Sequence, residues 1–213
     1  MDPVRAVRPV RPLSDNGPMD ARSTDPGAVL IRRAVAKDAK QLTRLVRTSR
    51  AYEGHWAPMV EGYRVGPDYI EAHRVFVAVA GTGNGAGTGA DAGTGAGTPV
   101  LGFYSLVLDT NGPDGPDGPN GPNGTGEPRG SAATGELDLM FVADAAQERG
   151  IGRLLIAHLR KEAARAGLDA VRVVSHPPAE GFYRRVGAER TGTVPATPPY
   201  VMWDRPELTL PIA

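Results

Sequence analysis

The run from Glu136 to Val142 alternates in the manner of a strand, and Ile151 to Ala166 carries apolar residues at helical spacing. Gln147-Glu148-Arg149-Gly150-Ile151-Gly152 joins the two. No other part of the chain restricts its fold as much. Its two glycines let a backbone turn sharply and approach a ligand closely, and a helix starting there offers unpaired N–H groups at its positive dipole end. A strand, a glycine-bearing turn and a helix start together make a seat for an anion such as a pyrophosphate. The spacing excludes two common versions of that seat. In the dinucleotide motif G-x-G-x-x-G the third glycine would fall at Leu155, and no Gly-Lys-Ser/Thr follows as a P-loop requires.

With 24 basic and 24 acidic side chains in 213 residues the chain has no net charge, which argues against nucleic acid as a partner. It has no cysteine, so disulfides, Cys-ligated zinc and a cysteinyl acyl-enzyme are excluded. Its four histidines lack metal-ligand spacing and H-E-x-x-H is absent, so no metal is expected. No apolar run reaches about 18 residues, and the N-terminus lacks the apolar centre of a signal peptide. The expectation is a soluble, cytoplasmic protein with no membrane partner.

Three stretches read as lying outside any core: 1–27, rich in Pro, Arg and Asp; 81–98, almost purely Gly, Thr and Ala; and 111–134, dominated by Gly-Pro-Asp and Gly-Pro-Asn triplets. The triplets are too few for a collagen helix and read as a solvated loop. The rest suits one domain, 28–213, behind a flexible tail at 1–27, with the two low-complexity stretches inserted into turns. Loop-closure entropy grows only logarithmically with length, so such insertions are tolerated.

In chain order, Ala28 to Arg33 reads as a strand, and Ala39, Leu42, Leu45 and Val46 as the apolar face of a helix with Asp38 near its start. Tyr52 to Ile70 is a connection between helices, rich in aromatic and polar groups, including His55 and Trp56. Val75 to Ala80 and Leu101 to Leu108 are strands apolar on both faces, and Glu136 to Val142 is the next. Helix Ile151 to Ala166 places Ile151, Leu154, Leu155, Leu159 and Ala163 on one stripe and stops at Gly167. A strand at Ala170 to Val174 follows, plausibly parallel to the one before the helix, then a short helix, Ala179 to Val186. Strands at Ala188 to Val194 and Glu207 to Ile212 flank the Pro-rich loop Pro195 to Pro206. Period-two alternation places Glu136 and Asp138 on one face of their strand with Met140 and Val142.

Gln147-x-x-Gly150-x-Gly152 after a strand, Ala179-x-x-Phe182-Tyr183-x-x-x-Gly187-Ala188 beyond it, and the element order together resemble the GCN5-related N-acetyltransferase (GNAT) family. The resemblance implies an α+β, three-layer fold: a mixed, mostly antiparallel central sheet flanked by helices. Its parallel pair, 136–142 and 170–174, would open to hold acetyl-CoA as co-substrate. It further implies that main-chain groups of Met140, Phe141 and Val142 receive the pantetheine arm. The turn Gln147, Glu148, Arg149, Gly150, Ile151 and Gly152 would take the pyrophosphate, with the Glu148 carboxylate facing solvent. His176 stands where relatives often carry an asparagine that bonds the coenzyme arm, and Asp144 where proline is common.

By the same resemblance Tyr183 would protonate the departing thiol, and Glu136 leads as the general base, with His55 and His176 in reserve. Each has a structural alternative: Tyr183 as a core aromatic, Glu136 as a surface carboxylate. The implied function is direct transfer of acetyl to a primary amine of a small molecule or peptide, in a ternary complex. The acceptor would enter between Tyr52 to Tyr69 and Pro195 to Trp203. An inactive acyl-CoA-binding module and a scaffold working through the Gly-rich segments remain alternatives, and edge strands near the C-terminus leave a homodimer open.

Overall fold

The computed structural model describes residues 29–81, 98–108, 134–199 and 201–212. The expected tail at 1–27 and most of both expected insertions lie outside the described residues. β1 (Val29–Arg33), β2 (Arg74–Ala80), β3 (Val100–Leu108) and β4 (Thr134–Val142) form an antiparallel run. β5 (Ala170–Val174) pairs parallel with β4; β7 (Arg205–Pro211) lies between β5 and β6 (Glu189–Val194), giving the order β1-β2-β3-β4-β5-β7-β6. This is the mixed, mostly antiparallel sheet expected, with its parallel pair in the middle.

Helices cover both faces, which is why β2 and β3 are apolar on both. α3 (Ile151–Arg165) and α4 (Glu180–Arg185) enclose one core with Tyr104, Leu106, Val171, Leu208 and Leu210. α1 (Ala39–Arg47) and α2 (Pro67–Ala72) enclose the other with Val75, Val77, Phe103 and Phe141. α2 begins inside the stretch expected to be a connection. Gly66 precedes Pro67, whose fixed φ suits the first helical position. On α3 the stripe differs by one residue from expectation: Leu154 is 46% exposed and Ile156 is buried. At 100° per residue Leu154 falls about 120° from the centre of the Ile151, Leu155, Leu159, Ala163 stripe, and Ile156 about 80°.

A second correction concerns β4. Across β3, Ser105 pairs with Leu139 and Leu106 with Leu137, so Asp138 is an extra residue, a bulge. The bulge reverses which face follows. Leu137 points to the α3 core, Leu139 and Phe141 to the α1 core, and Met140 and Val142 pack on the α3 side. Glu136 and Asp138 therefore do not share a face with Met140 and Val142. The bulge leaves the carboxylates on the α1 side with Leu139 and Phe141, and Leu137, Met140 and Val142 on the α3 side.

Candidate functional site

β4 and β5 pair only from Thr134–Ala170 to Leu137–Val173, although β4 runs on to Val142. Beyond Leu137 the β5-facing main chain of β4 has no strand beside it, and two clefts open along this splayed edge.

The first cleft, about 630 Å³, lies between the end of β4, the turn before α3 and α4. Its lining includes Met140, Val142, Gln147, Glu148, Gly150 and Gly152, with Phe182 and Tyr183 opposite. The turn is held in an unusual shape. Glu148 has φ 60° and Gly150 φ 79°, left-handed values that glycine adopts freely and glutamate does not. Gln147 braces it, its Nε2 donating to Asp144 Oδ1 at 3.0 Å and Val142 O at 3.4 Å. The Leu154 N–H reaches Gly150 O at 3.1 Å, so the N–H groups of the turn before it keep the free donors of a helix start.

Gly152 sits in close approach to α4. A Cβ there would lie 3.1 Å from the Phe182 ring. Phe182 in turn sets Tyr183, which is only 8% exposed and lines both clefts. Among the described residues its hydroxyl takes no hydrogen bond. Burial, and secondarily the neighbouring Tyr52, push its pKa well above the usual phenol value, so the proton stays on.

The second cleft, about 260 Å³, runs from Tyr183 along the other face of β4 toward the α1–α2 connection. Glu136 and Asp138 open into it. Glu136 accepts from Arg172 Nη1 at 3.0 Å, and Arg172 Nε donates to Glu207 at 2.6 Å. The Tyr69 hydroxyl donates to the Asp138 carboxylate in a short hydrogen bond and accepts from Ser105 Oγ at 2.7 Å. Burial pushes Tyr52 and Tyr63 up to about 12, so both stay neutral phenols.

His176 and three aromatic rings close the roof. His176 Nε2 donates to the Ala51 carbonyl at 2.7 Å, which leaves its buried Nδ1 without a partner. Its ring stacks on Tyr52 at 4.3 Å and meets Trp56 edge-on at 4.6 Å. Trp56 meets Trp203 at 4.2 Å and 88°, so the loop between β6 and β7 is clasped to the α1–α2 connection. Among the described residues no group of His, Asp and Glu is arranged to hold a metal.

Residues 124–195, from the lead into β4 through β6, match the family model "Acetyltransferase (GNAT) domain". That stretch of the chain is similar to a GNAT acetyltransferase domain. Its fold agrees with solved structures at low identity. An Arabidopsis thaliana NAA60 in complex with a bisubstrate analogue is 14% identical, with a TM-score of 0.57, covering 87% of this chain and 100% of that one. A GNAT-family protein from Desulfovibrio desulfuricans is 19% identical, with a TM-score of 0.54 and the same coverage. The ribosomal-protein-S18-alanine N-acetyltransferase of Escherichia coli is 16% identical, with a TM-score of 0.52, covering 87% of this chain and 95% of that one. No curated protein matches the chain.

Around the two clefts the sequence-predicted residues gather closely. Glu148, Gly150, Ile151 and Gly152 line the first cleft, Glu136 and His176 the second, and Met140, Val142, Gln147 and Tyr183 both. Arg149 lines neither cleft; Arg153 and Arg185 are the cations of the first. The signal for both was present: Arg153 stands in the first turn of α3, and Arg185 one position past the neighbour of Tyr183. Phe141 packs in the α1 core, so only its main chain is at the splayed edge. His55 is exposed against Trp56 and lines neither cleft. Among the described residues no helix is long and apolar enough to cross a membrane.

Proposed function

We propose that this chain transfers the acetyl group of acetyl-CoA directly to a primary amine of a small molecule or peptide, both substrates being bound at once. One observation carries the reading: Tyr183 stands where the cleft under the Gly150 turn meets the cleft holding Glu136 and Asp138. The pyrophosphate sits on the turn amides with Arg153 and Arg185 beside it, and pantetheine follows the splayed edge of β4. Fixed N–H donors suit this because they need no reorganisation when the ligand arrives. His176 keeps unused hydrogen-bond capacity at its buried Nδ1 on the wall of the second cleft, which supports a role in holding the coenzyme arm.

The amine nitrogen attacks the thioester carbonyl carbon, the C–S bond breaks, and the sulfur leaves toward the Tyr183 hydroxyl. A phenol is intrinsically a weaker acid than a thiol, but the burial that raises Tyr183 raises a thiol in the same place. The two stay close enough to share the proton as sulfur departs. The amine proton goes to the carboxylate side of β4. Glu136 is already engaged by Arg172 and Asp138 by Tyr69, so Asp138 takes the proton through the Tyr69 hydroxyl or water, and Glu136 takes it through water, because a guanidinium cannot relay a proton. Tyr183→Phe tests the reading. It should lower kcat by about 10²-fold or more while leaving acetyl-CoA affinity nearly unchanged, and an unchanged kcat would remove Tyr183 from the chemistry.

A further inference from the structure

We propose that the acceptor is a polypeptide whose acidic segment, beyond the reactive amine, lies along a basic trough on the outer face of α1. This deepens the acetyl-transfer reading and rests on it. Lys37, Lys40, Arg44 and Arg47 recur three and four residues apart, on the side of α1 away from the buried Leu42, Leu45 and Val46. Arg64 approaches from the α1–α2 connection, and the five line a cleft of about 900 Å³ with no carboxylate in its walls. Among the described residues Lys40, Arg44, Arg47 and Arg64 are exposed and form no ion pair. In a chain with equal numbers of acids and bases, that segregation is local and does not follow from overall charge.

The trough leads to the proposed chemistry. Arg47 and Thr48 line it and also the next hollow, whose Ser49, Tyr52 and Val60 line the cleft holding Tyr183. From Lys40 to Arg47 α1 rises about 10 Å, and Lys37, in the 3-10 turn Ala36–Asp38 just before it, extends the row to about 15 Å, the reach of about five residues of extended peptide. The intervening hollow is bordered by Glu53 and Glu61, so the acidic residues belong past it and the first residues after the amine should be neutral. An unmodified nucleic acid would satisfy the cations but carries only weakly nucleophilic base amines and brings no aliphatic amine to Tyr183, so a peptide fits the whole path.

The test uses the full chain and three peptides sharing a short neutral N-terminal stretch, followed by a run of Glu, Ser or Lys. The Glu peptide should exceed the Ser peptide in kcat/KM about tenfold at low salt, with the Lys peptide lower still and the differences shrinking at high salt. Arg44→Glu/Arg47→Glu should abolish or invert the order while the rate on a small tail-less amine stays unchanged. Equal rates for the three peptides, or a preference that survives charge reversal, would overturn the proposal. So would polynucleotide binding that is lost in the variant while peptide rates are unaffected. If no amine is acetylated, acetyl transfer itself has failed. Anisotropy of the labelled Glu peptide then decides the trough: binding lost on charge reversal retains it, and no binding rejects it.

Discussion

The Phe182 ring occupies the space that a side chain at Gly152 would need, 3.1 Å from where its Cβ would stand. The glycine turn and the Phe-Tyr helix are therefore one packed unit. Gly152→Ala should raise helix propensity by up to about 1 kcal/mol, against an overpacking cost of about 1 to 3 kcal/mol. The net loss is at least about 0 to 2 kcal/mol, so the melting midpoint should fall by several degrees at most. The displaced Phe182 and the altered turn should instead weaken acetyl-CoA binding about tenfold, close to 1.4 kcal/mol. Calorimetric titration checks this, and an unchanged Kd would show that the turn tolerates a methyl group.

The carboxylates of β4 separate by their partners. Asp138→Asn keeps the bulge but weakens the acceptor of the Tyr69 bond, and Glu136→Gln leaves Arg172 still paired with Glu207. If the amine proton leaves through Asp138, Asp138→Asn should lower kcat by about 10²-fold and Glu136→Gln by much less, with the reverse order identifying Glu136. Acetyl-CoA affinity should be unaffected in both. Steady-state kinetics across pH gives the answer.

Stability has its own electrostatic anchor, away from the clefts. Asp38 accepts from Arg32 at 2.7 and 2.9 Å and from the Val35 N–H at 2.9 Å, with both side chains largely buried. Burial alone would raise the Asp38 pKa, but Arg32 and the Val35 N–H outweigh it, so the folded value lies below the ordinary one. The stabilisation is thus complete above about pH 4 and is lost as pH falls through that lower folded value. Asp38→Ala should cost about 3 kcal/mol at neutral pH by leaving Arg32 unpaired, and urea unfolding at several pH values should show the difference narrowing in acid.

His176 carries a pH dependence in a different range. Burial lowers its pKa, the Ala51 carbonyl partly opposes this, and His55 adds to the lowering. The unfolded chain takes up the proton near pH 6.5 and the folded one only below that, so stability is full above about pH 6.5 and declines as pH falls. Trp56 and Trp203 touch this ring's surroundings, so their fluorescence should change over the same range. His176→Asn should flatten the slope; an unaltered slope would assign it elsewhere.

Much of this was legible because the elements announce themselves locally. Alternation marked β4, four-residue spacing marked α3, and Gly167 and Gly187, with φ 73° and 91°, marked helix ends. The turn glycines were legible because a left-handed turn and a close approach favour them, at Gly150 with φ 79° and at Gly152 beside Phe182. The sidedness of β4 was not, since a bulge at Asp138 is set by pairing with Ser105 and Leu106 on another strand. Nor was the His176 contact with Ala51, 125 residues away in sequence. Arg153 and Arg185 were overlooked for Arg149 because sequence nearness to a turn does not say which way a side chain leaves it.

The central claim is that the cleft under Gly150 seats acetyl-CoA. Thermal unfolding of the full chain with and without acetyl-CoA tests it most directly. At about 100 times Kd a ligand of the folded state adds about 2.7 kcal/mol, and each kcal/mol moves the midpoint of a chain this size by about 2 to 4 °C. The account predicts a rise of about 5 to 10 °C with acetyl-CoA and none with NADH or ATP. No shift at millimolar acetyl-CoA, or an equal shift with ATP, would contradict it.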